Sequence, residues 1–301
     1  MIKTELYEIP YRLELCYQKN KGLILPEKVP YIGMGASYIA IEVFRYLGVP
    51  LFAANAAEYE HYLGRNRKDN TAVLVSQSGQ SAETLNCARY FSSFIGIVND
   101  AGSPLARQKN CDTAVLLHSG TEERIVSKSY LNTLLVLYLG LGFELKDVLQ
   151  VHRTHLLHFE QIGIAMGALI KKSQRSWHKR FIYILGNGAD NATAKLAAQV
   201  LSSVLKTPVA AVAASQFDHG FKTSPKNMLV LALNPGGAER ERTQHLLQTI
   251  GNEGAEVFEI SDPIVAPVFS PLIFPMYFFF AAEYLTDPSK IKSVFDWRLH
   301  K

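Results

Sequence analysis

Each half of the chain contains an apolar strand that ends in two closely spaced glycines and leads into a helix. This repeat is the feature that most constrains the fold. The corresponding segments, in chain order, are "IGMGAS" (32–37) with "LGNGAD" (185–190), "VPLFAANAAEY" (49–59) with "TPVAAVAASQF" (207–217), and "VLVSQSG" (73–79) with "VLALNPG" (230–236). Because the order is kept through three elements, the sequence predicts two copies of one supersecondary unit.

Apolar β-rich runs alternate with helical stretches throughout, which is typical of parallel sheets covered by helices. Strands are expected at 29–33, 50–54, 71–76, 94–98, 113–117, 181–186, 208–213, 228–233, 256–260 and 264–268. We therefore predict an α/β protein with two tandem doubly wound, flavodoxin-like parallel-sheet domains, 1–150 and 151–301. Ligands are expected at the carboxyl ends of the strands.

Composition and charge exclude several classes of partner. The net charge is only +4, and the densest basic run, "KKSQRSWHKR" (171–180), reads as a solvated helix end. We therefore expect no nucleic-acid partner. The three cysteines, Cys16, Cys87 and Cys111, lack CxxC spacing, which predicts neither a disulfide framework nor a zinc site and fits a reducing compartment.

One very apolar segment, "PLIFPMYFFFAAEYL" (271–285), is shorter than the about 20 residues that a membrane span needs. It predicts a buried or subunit-interface helix. The amino-terminal segment lacks the basic start and apolar core of a signal peptide. We expect a cytoplasmic protein without a membrane partner.

The stretch "VLVSQSGQSAETL" (73–85) ends an apolar strand in small hydrogen-bonding residues. A helix is expected to begin near Ala82, after a tight turn at Gly79, and its amino terminus favours an anion. The hydroxyls of Ser76, Ser78 and Ser81 and the amide of Gln77 surround that position. Ser37, after the glycines of the first strand, is expected to face the same crevice. These neutral donors predict a site for one phosphate of a small metabolite.

The serine-rich turn has two alternative interpretations. A serine-rich turn between strand and helix can be an ordinary N-cap. A dinucleotide site would need an acidic residue after the second strand, but the chain reads Ala53-Ala54-Asn55 there. No lysine follows either glycine turn as in a Walker loop, so nucleotide binding is disfavoured.

The motifs "GMGAS", "VSQSGQSAETL" and "SQFDHG" resemble those of the sugar isomerase (SIS) domain family. In particular, nearly the whole chain resembles the double-SIS isomerase half of glucosamine-6-phosphate synthase and its phosphosugar isomerase, deaminase and deglycase relatives. The resemblance implies that the phosphate ligands are Ser37, Ser76, Gln77, Ser78 and Ser81.

The resemblance also implies residues around the sugar. The segment "GTEERIVSKSYLNTL" (120–134) resembles the stretch that lines the sugar, although it is one residue short, and it makes Ser127 a sugar contact. His219 in "FDHG" matches the histidine that assists ring opening from the neighbouring subunit, which implies a homodimer; a lone histidine can also be structural. In the tail, "DPSKIKSVFDW" (287–297), Lys292 is expected to complete the sugar site, with Lys290 as the near alternative.

The pattern departs from the family at the proton-transferring base. Alignment on "LGNGAD" and "DHG" places Ser203 at the family's glutamate, Val200 at its lysine and Leu196 at a further glutamate. Isomerisation through an enediol needs a group that moves a proton between carbons, and a serine without a partner base cannot do that. His219 is the alternative base, and Ser203 is kept as a sugar contact. Glu58 and Glu83 also lie near the ends of strands in the first domain, but Glu58 can be structural and Glu83 is typical of a carboxylate that stabilises the first turn of a helix.

Two functions therefore remain open. The first is a homodimeric hexose- or hexosamine-6-phosphate isomerase, or a related deaminase or deglycase, that needs no cofactor or metal. The second is a catalytically silent sugar-phosphate sensor. The trio His152, His155 and His158 spirals off one helical face, which argues against a metal site.

Overall fold

The computed structural model describes residues 2–67, 69–175, 181–223, 225–261 and 264–286. The chain forms two compact units. The first unit is Tyr7–Arg153, and the second unit consists of residues 2–6 together with the described residues from Thr154 onwards. The division into domains 1–150 and 151–301 stays a prediction.

Helices and strands alternate along the described chain. The helices are α1 (Ile2–Tyr7), α2 (Ile9–Lys19), α3 (Ala36–Tyr46), α4 (Ala56–Glu58), α5 (Ala82–Cys87), α6 (Lys128–Gly140), α7 (Lys146–Thr154), α8 (Leu156–Arg175), α9 (Ala189–Leu205), α10 (Ala214–Phe217), α11 (Arg240–Asn252) and α12 (Ser270–Thr286). The strands are β1 (Pro30–Gly33), β2 (Phe52–Asn55), β3 (Thr71–Val75), β4 (Ser93–Val98), β5 (Cys111–Leu116), β6 (Phe181–Gly186), β7 (Ala210–Ala213), β8 (Met228–Leu233) and β9 (Glu256–Ile260).

The first unit contains a five-stranded sheet in the order β2-β1-β3-β4-β5, with every pair parallel. β1 and most of β3 are buried, as expected for strands covered by helices on both faces. Gly33 at the end of β1 pairs with Asn55 and with Val75, so the carboxyl ends of the three strands lie side by side.

The second unit repeats this arrangement with four parallel strands in the order β7-β6-β8-β9. The doubly wound α/β prediction is therefore confirmed for each sheet, and the strands begin and end within two residues of the expected positions. The expected strand at 264–268 is wrong. Pro267 opens a 3-10 turn, Pro267–Phe269, that leads into α12, and proline has no N–H to donate to a sheet.

Helix α12 is buried along nearly its whole length, as the sequence predicted. The segment Pro267–Thr286 is the one described helix long and apolar enough to cross a membrane, and 83% of its apolar window is buried within the protein. It packs closely against α8, where a Cβ added at Gly163 would overlap Phe280 and lie 2.8 Å from the Tyr277 carbonyl oxygen. Gly163 thus allows the two helix backbones to approach.

Candidate functional site

The loop of residues 76–81, here called the serine loop, leaves β3 at the carboxyl edge of the first unit's sheet. Ser76 is buried, and its N–H donates to the Ile97 carbonyl at 3.0 Å. The Gly79 N–H donates back to the Ser76 carbonyl at 2.9 Å, which closes a tight turn. The Ser76 hydroxyl lies 3.4 Å from the Ser81 hydroxyl, so these two predicted phosphate ligands face each other.

The other two residues of the serine loop that were assigned to phosphate differ in exposure. Ser78 is exposed, and its hydroxyl accepts a hydrogen bond from the Gln80 N–H at 3.2 Å. Gln77 is half-buried, and its carbonyl accepts a hydrogen bond from the Asn99 N–H at 2.9 Å. The backbone of the serine loop is therefore held on both sides.

Ser37 lies in the first turn of α3, just after the glycine turn that follows β1. Gly35 adopts φ 51 and ψ −126, and the Ser37 N–H donates to the Met34 carbonyl at 3.0 Å. Because β1 and β3 are paired neighbours, Ser37 and the serine loop emerge at the same edge of one sheet. The fold thus brings the five predicted phosphate ligands to one edge; that they bind phosphate stays a prediction.

The structure adds polar residues at this edge that the sequence reasoning missed. Asn99 directly follows β4, and its side chain bonds to both Ser119 and Gly120 in the loop after β5. A signal was present, because an asparagine at the end of a buried strand lies at the edge where ligands of parallel sheets bind. Its partners, twenty residues further along, carried no such signal.

Ser127, the predicted sugar contact, is buried at the start of α6 and is held by Glu122. One Glu122 carboxylate oxygen accepts hydrogen bonds from the N–H groups of Ser127 and Ser129, at 2.9 and 2.8 Å, and from the Ser127 hydroxyl at 3.2 Å. A carboxylate at a helix amino terminus satisfies otherwise unpaired N–H groups. The Ser127 hydroxyl already donates its proton, so towards a ligand it would act as an acceptor.

An ion pair between a buried lysine and a partly exposed glutamate lies next to Ser127. The Lys128 side chain is 2% exposed, and its ammonium lies 2.8 Å from a Glu8 carboxylate oxygen. The hydrogen bond from Lys128 holds the pKa of Glu8 below its ordinary value, and Arg12, 3.5 Å from the same oxygen, acts in the same direction. The serine loop and the glycine turn contain no lysine or arginine. Any positive charge near the serine loop therefore has to come from another segment of the chain.

In the second unit, the predicted catalytic residue His219 is exposed and lies two residues after the end of α10. Its N–H donates to the Gln216 carbonyl at 3.0 Å. The neighbouring Asp218 lies 2.6 Å from the Lys222 ammonium, which lowers the pKa of that carboxyl. Ser203 is exposed near the end of α9. Lys292 and its alternative Lys290 lie outside the described residues.

Two of the three α9 positions that the resemblance assigns to proton transfer are part of the core in this chain, whereas the third, Ser203, is exposed. Leu196 and Val200, at the positions of the family's glutamate and lysine, are 1% and 4% exposed. Helix α9 packs against α12 and β6. Apolar side chains are what such a buried face requires, because an unpaired carboxylate or ammonium there would be costly.

Asp190 occupies the position in the second repeat that Ser37 occupies in the first. Its carboxylate is buried and accepts a hydrogen bond from the Ser270 hydroxyl at 2.7 Å. Burial raises the pKa of Asp190 to about 7, against the opposing effect of the hydrogen bond from Ser270. The second repeat therefore carries a carboxyl group where the first offers a hydroxyl.

No metal-binding cluster is found in the part of the chain that the structure describes, where no three His, Cys, Asp or Glu side chains are grouped to hold an ion. Of the three clustered histidines, His152 lies in α7 and His158 in α8, while His155 falls between the two helices. The three are thus not on one helix.

No protein-family profile matches the chain. Its sequence is 24% identical to glutamine–fructose-6-phosphate aminotransferase [isomerizing] from Methanothermobacter thermautotrophicus, over 89% of this chain and 51% of that protein. It is 28% identical to the Pseudomonas aeruginosa protein of the same name, over 78% of this chain and 42% of that protein. The chain thus spans about half the length of the curated relatives it matches.

Solved structures share the fold. The carboxyl-terminal domain of glucosamine-fructose-6-phosphate aminotransferase from Francisella tularensis matches with a TM-score of 0.73 at 19% identity, covering 95% of both chains. Glucosamine-6-phosphate deaminase from Thermotoga maritima matches with a TM-score of 0.76 at 19% identity, covering 95% of this chain and 93% of that one. Tagatose-6-phosphate ketose/aldose isomerase from Escherichia coli gives 0.70 at 16% identity, covering 95% and 92%. Sequence similarity and fold together confirm the resemblance to the sugar isomerase family.

Proposed function

We propose that this chain binds a hexose- or hexosamine-6-phosphate at the serine loop and interconverts its aldose and ketose forms. The observation that carries the proposal is the placement of Ser37 and of the facing Ser76 and Ser81 hydroxyls at one edge of a parallel sheet. The names of the similar proteins support the class of ligand, since they include a fructose-6-phosphate aminotransferase, a glucosamine-6-phosphate deaminase and a tagatose-6-phosphate isomerase.

In this proposal the phosphate is held by neutral donors. The hydroxyls of Ser37, Ser76, Ser78 and Ser81 and the amide of Gln77 donate to its oxygens, and Ser127 accepts from a sugar hydroxyl. Lys292 completes the sugar site. Neutral donors suffice because the phosphate itself is charged. Each hydrogen bond to it is therefore charge-assisted and stronger than a hydrogen bond between two neutral groups. The proposed chemistry uses no cofactor or metal.

The proposed reaction moves one proton from C2 to C1 and a second from the C2 hydroxyl to the C1 oxygen. His219, contributed by the second subunit of a homodimer, helps to open the sugar ring. A base then takes the proton from C2 of the open-chain aldose while the C1 oxygen is protonated, which gives the enediol. The enediol loses its C2 hydroxyl proton and receives a proton at C1 from the protonated base to give the ketose. With Ser203 at the family's base position, we assign the role of base to His219, because imidazole is a side chain suited to general base catalysis. A related amino-sugar deamination would begin with the same proton removal.

The second candidate function is a silent sugar-phosphate sensor, and one observation favours it. Leu196 and Val200 are buried apolar residues where the family places a glutamate and a lysine. One acid–base residue contributes roughly two to four orders of magnitude in rate, so its loss can leave binding without useful turnover.

Proton NMR in D₂O separates the two functions. The protein is incubated with glucose, fructose and glucosamine 6-phosphates, and the C1 and C2 proton signals are followed. Exchange of these protons or formation of a ketose supports the isomerase, and the His219→Ala variant should then lose it. Line broadening without exchange supports the sensor.

The Ser78→Ala variant tests the serine loop under either function. It should abolish the broadening, because its hydroxyl is a proposed phosphate donor. The matched control is Ser92→Ala, which removes an exposed serine at the opposite, amino-terminal edge of the sheet. Unchanged spectra for wild type with every sugar phosphate would overturn the proposal.

A further inference from the structure

Asn99 connects three loops at the carboxyl edge of the first unit's sheet. Its backbone N–H donates to the Gln77 carbonyl of the serine loop at 2.9 Å. Its side-chain oxygen accepts from the Ser119 N–H at 2.9 Å and from the Ser119 hydroxyl at 2.8 Å. Its side-chain nitrogen donates to the Gly120 carbonyl at 2.9 Å. The loops after β3, β4 and β5 therefore meet at one residue.

The orientation of the Asn99 amide follows from its partners. The Ser119 N–H can only donate, and the Gly120 carbonyl can only accept. The amide satisfies both only when its oxygen points to Ser119 and its nitrogen to Gly120. No isosteric residue with acceptors alone, such as aspartate, reproduces both contacts.

The side chain and the backbone of Asn99 serve different loops. The serine loop is held by the backbone N–H, which any substitution other than proline retains. The segment 119–127, which ends at the predicted sugar contact Ser127, is held by the side chain. Replacing the Asn99 side chain therefore removes its hydrogen bonds to the segment 119–127 but keeps the backbone hydrogen bond to the serine loop.

We propose that Asn99 is a positioning residue for sugar selectivity: it holds the segment 119–127 in register with the serine loop, so that the sugar as well as the phosphate is recognised. The inference rests on the proposed function, because it takes the serine loop as the phosphate site. It assigns Asn99 no contact with the reacting atoms.

The chain offers a matched control in Asn110. Its side-chain nitrogen donates to the Ala88 and Phe91 carbonyls at 2.8 and 3.0 Å, so it also ties a loop to the body of the first unit. It immediately precedes β5 and so lies at the opposite edge of the sheet. The two asparagines make the same kind of link, but only Asn99 lies beside the serine loop.

The experiment measures the dissociation constants of inorganic phosphate, fructose 6-phosphate and glucosamine 6-phosphate by calorimetry at fixed ionic strength. The readout is the ratio of the phosphate constant to the tighter sugar-phosphate constant, which we call the selectivity ratio. In Asn99→Ala this ratio should fall about tenfold, because the side-chain hydrogen bonds that position the segment 119–127 are lost. Phosphate affinity itself should stay within about twofold of wild type, since the Gln77 contact remains.

Ser119→Ala is a milder variant, and it tests the inference even if Asn99→Ala does not fold. It removes only the hydroxyl donor and keeps the Ser119 N–H contact, so the selectivity ratio should fall about threefold. Asn110→Ala should lower the thermal midpoint and leave the ratio at the wild-type value.

The outcomes separate this inference from the proposed function. A wild-type protein that binds none of the three ligands overturns the proposed function and the inference with it. A wild-type protein that prefers sugar phosphates keeps the proposed function. In that case, an unchanged selectivity ratio in both Asn99→Ala and Ser119→Ala overturns the inference alone, as does an equal fall in Asn110→Ala.

Discussion

At the scale of single residues, the candidate site depends on backbone positions that few side chains tolerate. Gly79 in the serine loop adopts φ 61, a left-handed conformation that favours glycine. A Cβ at this position would also overlap the Ser103 side chain, which is buried beneath the loop. The shape of the serine loop therefore requires a residue without a side chain at 79.

Replacing Gly79 by alanine should distort the serine loop and remove phosphate binding. The left-handed backbone and the overlap with Ser103 together should cost about 1–3 kcal/mol of stability. Calorimetric phosphate titration and urea unfolding measure the two effects. The control is Gly22→Ala, where φ is 84 but no atom lies within 4 Å of the new Cβ. Intact phosphate binding in Gly79→Ala would contradict the role given to the loop.

Asp190 should make stability depend on pH. Its folded-state pKa of about 7 lies above the ordinary value of 3.8, so the folded state holds the proton more tightly. Stability from this group is therefore full at low pH and is lost as pH rises from about 4 to about 7. The loss should be on the order of 1–4 kcal/mol.

Urea unfolding at pH 5 and pH 8 measures this effect. In Asp190→Asn the side chain stays neutral, so the decline between the two pH values should be smaller than in wild type by about 1–3 kcal/mol, which is the part of the loss that falls above pH 5. Asp112→Asn, which changes an exposed carboxylate on β5, is the control and should behave as wild type. An identical decline in wild type and Asp190→Asn would show that burial does not perturb Asp190.

At the scale of elements, close packing of α8 against α12 forms much of the second unit's core. A Cβ at Gly167 would lie 2.7 Å from the Tyr284 ring, one turn along from the contact at Gly163. Small residues spaced in this way let two helix backbones approach closely. The apolar character of α12 is thus explained by burial within the protein.

Gly163→Ala should destabilise the protein although alanine is the better helix former. The gain in helix propensity is about 1 kcal/mol, but the new Cβ meets backbone atoms of α12 that cannot rotate away. We expect a net loss of about 1 kcal/mol or more. Gly251→Ala in α11 is the matched control, because its Cβ would lie 4.0 Å from the nearest neighbour, Val257. It should gain up to about 1 kcal/mol; a gain in both variants would contradict the packing argument.

At the scale of the whole molecule, we propose that the enzyme acts as a homodimer whose sites are shared between subunits. If His219 acts in the neighbouring subunit's site, two inactive variants can complement each other. A mixed dimer of Ser78→Ala and His219→Ala would contain one complete site and one doubly defective site. This test addresses the dimer and the placement of His219 together.

Unfolding and refolding a one-to-one mixture of the two variants should restore about a quarter of wild-type turnover. Half of the dimers are then mixed, and each has one working site of two. Turnover is measured by ketose formation. The control mixture pairs Ser78→Ala with Ser76→Ala, which damage the same site and should stay inactive. No recovery in the first mixture, with the dimer verified by light scattering, would place His219 in its own subunit's site or outside the chemistry.

Local patterns determined much of the fold in advance. Strand positions, the glycine turns and the start of α5 at Ala82 follow from residues a few positions apart, so the sequence alone predicted them. The expected strand at 264–268 does not form, although its residues are apolar, because Pro267 cannot donate a hydrogen bond to a sheet and instead begins a 3-10 turn. The grouping of Ser37 with the serine loop was predictable as well, since parallel strands align their carboxyl ends.

Only the tertiary structure decided which distant residues meet. Lys128 pairs with Glu8 across 120 positions, and Asn99 bonds to Gly120 across 21. Neither spacing is a helical or strand period, so no local pattern marks them. The burial of Asp190 and Leu196 likewise depends on the elements that pack against α9, among them α12. The sequence by itself determined the strands, the turns and the polar residues at the sheet edge, because short-range backbone preferences act within a few residues. Pairing, burial and the resulting pKa depend on long-range contacts that form only when the chain has folded.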